Sequence, residues 1–157
     1  MKYKNGDMVV HWNYGPGQIT GIEEKQYAGQ TREYYVLKTS QLTLWVPTDE
    51  EGEKSMRQPV ARNEFTNFEK ILRSQSEPLP EDQFQRHSQL TERIRRKSLD
   101  DVCRIIRDLN ARAQSQKLNR NDSAMLKQAQ ELILGEMQLS LGTSREHVEL
   151  EFSSMMK

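Results

Sequence analysis

The chain has 157 residues and a mass of 18.4 kDa, a length that fits either one domain or two small ones. Hydrophobic residues make up 34% and charged residues 29%, which predicts two modest cores rather than one large one. Lysine plus arginine equals aspartate plus glutamate at 23 each, which excludes a strong overall positive field as the basis for binding nucleic acid or anionic lipid.

The first 60 residues have the pattern of a small β structure, in which short β-branched and aromatic runs are separated by turn residues. The acidic stretch 49–53 is predicted to be an exposed loop because it is highly charged and is interrupted by a glycine. Short strands joined by tight turns favour a small β-barrel of the SH3 or Tudor kind. The predicted strands are residues 8–12, 18–27, 33–38 and 42–46, with a last short strand near residues 56–60.

A helix is predicted from an N-cap at Asn63 to about Arg73, and its apolar residues are expected to close the core of the sheet. Residues 74–80 contain two prolines and no apolar periodicity, which is typical of a linker. The chain is therefore predicted to be an α+β protein with two domains, residues 1–74 and residues 75–157.

Everything beyond residue 81 has helical periodicity. The predicted helices are residues 81–97, a helix capped by Ser98, residues 122–141, which end at Gly142, and a short terminal helix with a capping box of Thr143 and Glu146. In the first of these helices, one apolar stripe is predicted to contain Phe84, His87, Leu90 or Thr91, and Ile94.

No motif for enzyme chemistry is present: the sequence lacks a phosphate-binding glycine loop, zinc-ligand spacing and a catalytic triad arrangement. We therefore expect no catalysis, cofactor or metal. The single Cys103 cannot form an internal disulfide, and its position on an apolar stripe favours a packing role over a reactive thiol. The N-terminus has no signal-peptide pattern and no run has membrane length, which predicts a soluble cytoplasmic protein.

Three features of the sequence leave alternatives open. The run 92–97 contains four cations at a helix C-terminus, where they either form a solvated face that complements the helix dipole or bind phosphates. His87 is either a partly buried core residue, as its stripe favours, or a phosphate contact. Aromatic side chains are also more numerous than a small sheet can bury, so some of them either pack in the core or form a partner surface. They are Trp12, Tyr14, Tyr27 and Trp45.

The segment GDMVVHWNYGPGQITGIEEKQYAGQTREYYVLK, residues 6–38, resembles the opening of CarD/CdnL proteins, which are bacterial transcription regulators. It contains a Gly-Asp pair, a Gly-x-Gly turn, a Gly-Ile-Glu strand and an Ala-Gly turn before a tyrosine-rich strand. The similarity continues in the family's order over nearly the whole chain, through Leu-Trp-Val-Pro at 44–47, Pro-Leu-Pro at 78–80, Ile-Ile-Arg-Asp-Leu at 105–109 and Leu-Ile-Leu-Gly-Glu at 132–136.

The resemblance implies a Tudor-like domain that docks on the β subunit of RNA polymerase and a helical domain that touches promoter DNA beside the transcription bubble. The positions that would contact polymerase are Lys25, Tyr27 and Trp45. A basic residue is usual in the family where this chain has Trp45, so the contact here is expected to be more apolar.

The resemblance also implies a non-sequence-specific contact with the minor groove, made in the family by a tryptophan wedge. At that position this chain has Gln83 and Phe84, and Phe84 is either the apolar wedge or a member of the core stripe. The family's basic residues in the penultimate helix are replaced by Ser123 and Ala124. The residues expected to contact DNA are Gln83, Phe84, Arg86, His87, Arg93 and Arg96. Tethering through polymerase would allow weak contacts of this kind to act on DNA.

Three other interpretations remain at this level. An adaptor that binds polymerase without touching DNA would agree with the neutral charge balance and the absent tryptophan. The β domain also occurs in transcription-repair coupling helicases, but no Walker motif follows it here. An enzyme that uses Cys103 or His87 is the third. The polymerase-binding regulator is expected to be a monomer.

Overall fold

The computed structural model describes all 157 residues, which form two compact units, Met1–Val60 and Ala61–Lys157. The first contains all five strands and is called the sheet unit, and the second is built from helices alone and is called the helical unit. The predicted α+β class is confirmed. None of the helices is both long and apolar enough to cross a membrane.

The sheet unit is a five-stranded antiparallel sheet with the strand order β4-β3-β2-β1-β5. Since β4 and β5 each pair on one side only, the sheet of this small SH3- or Tudor-like unit is not closed into a barrel. A bulge between Ile19 and Gly21 shifts the β2–β3 register. The strands are β1 (Met8–His11), β2 (Gly15–Tyr27), β3 (Gln30–Thr39), β4 (Thr43–Pro47) and β5 (Met56–Arg57).

One face of the sheet holds a core centred on Tyr35, whose side chain is fully buried. Its hydroxyl donates to Glu53 Oε2 at 3.0 Å, so the phenol stays hydrogen-bonded although it is buried. The same carboxylate oxygen accepts from the backbone N–H of Lys2 at 2.8 Å, which fixes the N-terminal segment to the sheet. The other core residues are Tyr3, Val9, Ile19, Leu37, Val46 and Met56.

The acidic stretch is a short helix, α1 (Glu50–Lys54), so the prediction of an exposed loop was wrong. Asp49 caps this helix, because its carboxylate accepts from the backbone N–H of Gly52 at 2.8 Å. Gly52 is buried against Pro47, the last residue of β4. The glycine that was taken as a helix breaker is therefore the residue that allows α1 to approach the sheet closely.

The helical unit is organised around α4, which contacts three of the other helices and is apolar along its inner face. Ser98 caps α4 and the left-handed Gly142 ends α5, as predicted, whereas the last helix is capped by Ser144 rather than Thr143. The helices are α2 (Glu64–Arg73), α3 (Gln83–Arg95), α4 (Leu99–Ser115), α5 (Arg120–Leu141) and α6 (Arg145–Met155).

Helix α2 belongs to the helical unit, so the division lies at Val60, fourteen residues before the expected end of the first domain. Its buried Phe65 and Phe68 find their partners among the helices because α2 packs against α4 and α6. A hydrogen bond of 2.9 Å from Asn67 Nδ2 to Asp100 Oδ1 adds to this contact. Asn63 precedes α2, but its side chain makes no capping hydrogen bond.

The proline-containing segment 74–80, predicted as a linker, is fixed to the helical unit. Leu79 is buried, and the backbone N–H of Glu77 donates to Asp108 Oδ1 on α4 at 2.9 Å. Ser74 Oγ accepts from Arg107 Nη1, also at 2.9 Å. The segment is therefore a packed connection between α2 and α3, and two hydrogen bonds tie it to α4.

Candidate functional site

The three residues proposed from the sequence as a polymerase contact lie on the same face of the sheet unit, its outer face. Ile22 in β2 is paired with the buried Tyr35 and therefore lies on the core side of the sheet. Side chains alternate along a strand, so Lys25 and Tyr27, three and five residues later, lie on the opposite, outer side. Trp45 on β4 is adjacent to the buried Val46 and therefore has the same outward direction. Lys25, Tyr27 and Trp45 are called the hairpin surface below.

Trp45 is held in place by two neighbours on β2. The Nζ atom of Lys25 lies 3.7 Å from the centroid of the Trp45 ring, and Trp45 Nε1 donates to Glu23 Oε2 at 2.9 Å. The tryptophan remains 42% exposed. An aromatic side chain fixed in this way loses little conformational entropy when a partner binds. Sequence reasoning did not identify Glu23, although its spacing of two from Lys25 places both on one face of a strand.

The β2–β3 hairpin extends beyond the end of β4, because the last β3–β4 pair is Tyr34 with Pro47. At its tip, Ala28 and Gly29 both have positive φ, 53° and 78°, as a two-residue type I′ turn requires. Tyr27 precedes the turn and is 80% exposed. The hairpin therefore presents a large aromatic side chain away from the core.

A groove of about 450 Å³ borders the hairpin surface on the side of the unpaired β4 edge. Arg32 Nη2 and Asp49 Oδ2 form an ion pair of 2.7 Å on its wall. The capping hydrogen bond from the backbone N–H of Gly52, together with Arg32, lowers the pKa of Asp49 from its ordinary value. The groove also contains His11 and Tyr14, whose ring centroids are 5.0 Å apart.

In the helical unit, Phe84 is 78% exposed at the start of α3, and Gln83 and His87 are exposed beside it. The predicted apolar stripe was therefore wrong at Phe84 and His87, although Leu90 is buried as predicted, and the packing role favoured for His87 was also wrong. The residues that α3 buries are Arg86 and Leu90. A solvent-exposed phenyl ring here is available to a partner.

Arg86, expected to contact phosphate, is instead a buried part of the helical unit. Its Nε atom donates to both carboxylate oxygens of Asp122 on α5, at 3.1 and 3.0 Å, and both side chains are 4% exposed. Its Nη1 atom donates to the carbonyl oxygens of Pro80 and Glu81. These bonds occupy the guanidinium within the protein, so Arg86 is removed from the expected DNA contacts.

Arg93 is also largely committed to an internal contact, whereas Arg96 is exposed. Arg93 Nη1 donates to Asp108 Oδ2 at 2.9 Å, and the arginine side chain is 12% exposed. Burial alone would raise the pKa of Asp108, but hydrogen bonds from Arg107, the Glu77 N–H and Arg93 lower it below its ordinary value. The cations of the 92–97 run that remain exposed are Arg95, Arg96 and Lys97.

The exposed surface of α3 forms a shallow depression that begins at Phe84 and ends at Arg96, about 18 Å away along the helix. Between them lie the uncharged side chains of Gln85, Ser88 and Gln89, the acid Glu92 and the mostly buried Arg93. Ser123 and Ala124 are exposed at the start of α5. This surface, called the α3 face, combines an apolar group, hydrogen-bonding amides and terminal cations.

The structure gives no support to chemistry at Cys103. The cysteine is fully buried, and burial raises the pKa of its thiol to about 12, so it stays protonated near neutral pH. This agrees with the predicted packing role. No group of three or more His, Cys, Asp or Glu side chains is arranged to hold a metal ion.

Comparison with known proteins gives two matches to family models and a curated relative. Residues 3–60 match the family described as the CarD-like/TRCF RID domain, and residues 68–153 match the CarD C-terminal domain. The chain is also 23% identical over 149 residues to the Bacillus subtilis (strain 168) protein named "Putative transcription factor YdeB", covering 94% of this chain and 97% of that protein. The first matched region lies within the sheet unit and the second within the helical unit.

Proposed function

Because the chain belongs to the CarD-like family of transcription factors, we propose that its sheet unit binds the β subunit of RNA polymerase through the hairpin surface. The single observation that carries this proposal is the arrangement of Trp45 between the Lys25 ammonium and the Glu23 carboxylate, on the face of the sheet that also carries the exposed Tyr27. Aromatic anchors that are fixed before binding are typical of the residues that contribute most to an interface.

We further propose that the helical unit stabilises the promoter open complex through weak contacts of the α3 face. Phe84 would lie against the minor groove, where apolar side chains act as wedges at base steps that unstack easily. Arg95, Arg96 and Lys97 would neutralise phosphates at the other end of α3, and Gln83 and His87 lie beside the wedge. Anchoring on polymerase raises the local concentration of DNA, so few phosphate contacts are sufficient.

The polymerase contact is tested by Trp45→Glu and Tyr27→Glu in the full chain. Each change places a carboxylate in the hairpin surface, and Trp45→Glu also removes the ring beneath Lys25 and sets a second acid near Glu23. Loss of an interface anchor costs about 2 kcal/mol or more, so we expect affinity for the isolated β subunit to fall about 30-fold.

The control is Phe84→Glu, which adds the same charge to an exposed aromatic residue of the helical unit and should leave affinity for the β subunit unchanged. Titration calorimetry supplies the dissociation constants, and the fluorescence of each variant checks that the sheet unit is folded. Binding that survives both Trp45→Glu and Tyr27→Glu would show that polymerase contacts another surface.

The DNA contact is tested by Phe84→Ala. Since the ring is mostly in solvent, we expect the free energy of unfolding to change by less than about 0.5 kcal/mol and the lifetime of the open complex to shorten. Gln83→Trp should lengthen that lifetime, because it supplies an aromatic wedge. Replacing Arg95 and Arg96 with alanine should also weaken the salt dependence of the DNA contact. The slope of the logarithm of the binding constant against the logarithm of the salt concentration should fall by about 0.9 for each phosphate that is no longer neutralised.

An adaptor that never touches DNA is the second candidate function, and the internal pairing of Arg86 and Arg93 favours it. Open-complex lifetimes measured with a DNA competitor distinguish the two. If Trp45→Glu removes the effect of the protein while Phe84→Ala and the Arg95/Arg96 double change leave it intact, the helices act on another protein and the proposed DNA contact fails.

A further inference from the structure

A cavity of about 480 Å³ lies in the helical unit between the end of α2, the middle of α4 and the end of α6. No residue of the α3 face lines it, and no carboxylate does either. The polar groups on its wall are two hydroxyls, two carboxamides and a guanidinium. The lining residues are Leu72, Ser74, Ser76, Arg107, Asn110, Ala111, Gln114 and Met156.

Arg107 has one nitrogen without a partner. Its side chain is 9% exposed, its Nε atom donates to Asp108 Oδ1 at 2.9 Å, and its Nη1 atom donates to Ser74 Oγ at 2.9 Å. The Nη2 atom is buried and makes no hydrogen bond. A buried charged donor without an acceptor is unfavourable, so this atom is suited to an acceptor that enters the cavity.

Asn110, one turn further along α4, also lacks a strong acceptor. Its Nδ2 atom is 3.5 Å from the sulfur of Met156, which is a weak acceptor. Met156 is 37% exposed at the end of α6 and can move without uncovering a large core. At this cavity Arg107 Nη2 is therefore a buried donor without an acceptor, and Asn110 Nδ2 is a second donor whose protein partner is only a weak acceptor.

The charge of the same region is unbalanced in favour of an anion. Asp108 is shared by two guanidinium groups, Arg93 at 2.9 Å and Arg107 at 2.9 Å. Because Asp108 is shared, it neutralises Arg107 only in part, and Arg107 is the one charged residue that lines the cavity. In a cavity whose wall carries no acid, the remaining positive charge attracts a negatively charged ligand.

We propose that this cavity binds a small oxyanion, a phosphate or carboxylate group, whose oxygens accept hydrogen bonds from Arg107 Nη2 and Asn110 Nδ2 when the Met156 side chain moves aside. Ser76 and Gln114 line the same cavity and offer further donors. Guanidinium groups bind phosphate and carboxylate with paired hydrogen bonds, which makes this ligand class the chemical match.

The test is titration of the full chain with inorganic phosphate and, separately, with succinate, at constant ionic strength adjusted with chloride. Binding is followed by calorimetry and by the backbone NMR shifts of Ser76 and Asn110. We expect saturable binding of at least one of the two anions. The anion that binds more tightly identifies whether the site prefers phosphate or carboxylate.

Arg107→Met should weaken binding at least tenfold, while Asp108 keeps its hydrogen bonds from Arg93 and the Glu77 N–H. Arg104→Met is the matched control, because this exposed arginine lies one turn earlier on α4 and pairs with Asp101. It should leave binding unchanged. Met156→Ala should strengthen binding, since it removes the side chain that has to move.

If Arg107→Met does not fold, Asn110→Leu replaces it, since this change keeps the Arg107–Asp108 pair and should also weaken binding. Two results would overturn the proposal. One is the absence of saturable binding of either anion. The other is binding that is equal in the wild type, in Arg107→Met or Asn110→Leu, and in Arg104→Met, which would indicate general screening by salt.

Discussion

Asp122→Ala is expected to destabilise the helical unit by about 3 to 5 kcal/mol, because it leaves the Arg86 guanidinium buried without its counter-ion. The carbonyl oxygens of Pro80 and Glu81 would still accept from Arg86 Nη1, but they carry no full negative charge. Arg112, whose Nε atom is 3.9 Å from Asp122 Oδ2, would lose the same partner.

The two units can be followed separately in one unfolding experiment. Both tryptophans, Trp12 and Trp45, lie in the sheet unit, so tryptophan fluorescence reports that unit, while circular dichroism at 222 nm mainly follows the helices. Asp122→Ala should lower the urea midpoint seen by circular dichroism and leave the fluorescence midpoint unchanged. At a slope of about 1 to 3 kcal/mol per molar urea, the expected shift exceeds 1 M.

Two further variants separate loss of the ion pair from other causes. Glu149→Ala removes one acid from a partly exposed pair with Arg145 and should cost less than about 1 kcal/mol. Arg86→Met combined with Asp122→Leu removes both charges and should recover most of the stability lost in Asp122→Ala. A cost for Asp122→Ala no greater than that for Glu149→Ala would mean that the Arg86–Asp122 contact does not exist as a buried pair.

Gly52→Ala is the second change with a large expected effect, and it acts on the sheet unit. A Cβ atom at this position would overlap the carbonyl oxygen of Pro47 and lie 2.7 Å from its carbonyl carbon. Because the obstacle is backbone, α1 or the end of β4 has to shift, which costs about 1 to 3 kcal/mol or more. The fluorescence midpoint should fall and the circular dichroism midpoint of the helices should not.

The same displacement should weaken polymerase binding, since Pro47 ends the strand that carries Trp45. Gly135→Ala is the matched control, because this glycine lies inside α5 and its Cβ would meet nothing within 4 Å. There alanine should stabilise the helix by up to about 1 kcal/mol. Equal effects of the two substitutions would contradict the close contact between α1 and β4.

Much of the secondary structure was predictable because its signals are local. Runs of β-branched and aromatic residues indicated the strands, and the capping serine Ser98 and the left-handed Gly142 marked a helix start and a helix end. The acidic helix α1 was missed, because charge and a glycine suggested a loop, although Asp49 three residues before Gly52 was a usable capping signal. The three residues of the hairpin surface came from the resemblance, and strand alternation places them on one face.

Only the tertiary structure decided which side of α3 faces the core. Helical periodicity offers neighbouring stripes, and the apolar one through Phe84 was the natural choice from sequence. The buried stripe instead contains Arg86, because its partner Asp122, 36 residues away, neutralises the charge inside the protein. A second ion pair, with Asp108, withdraws Arg93 from solvent in the same way. Contact with α4 places α2 in the helical unit. The sequence by itself thus determined the elements and the family's expected surfaces, whereas the partners of the buried charges determined which side chains remain free to bind.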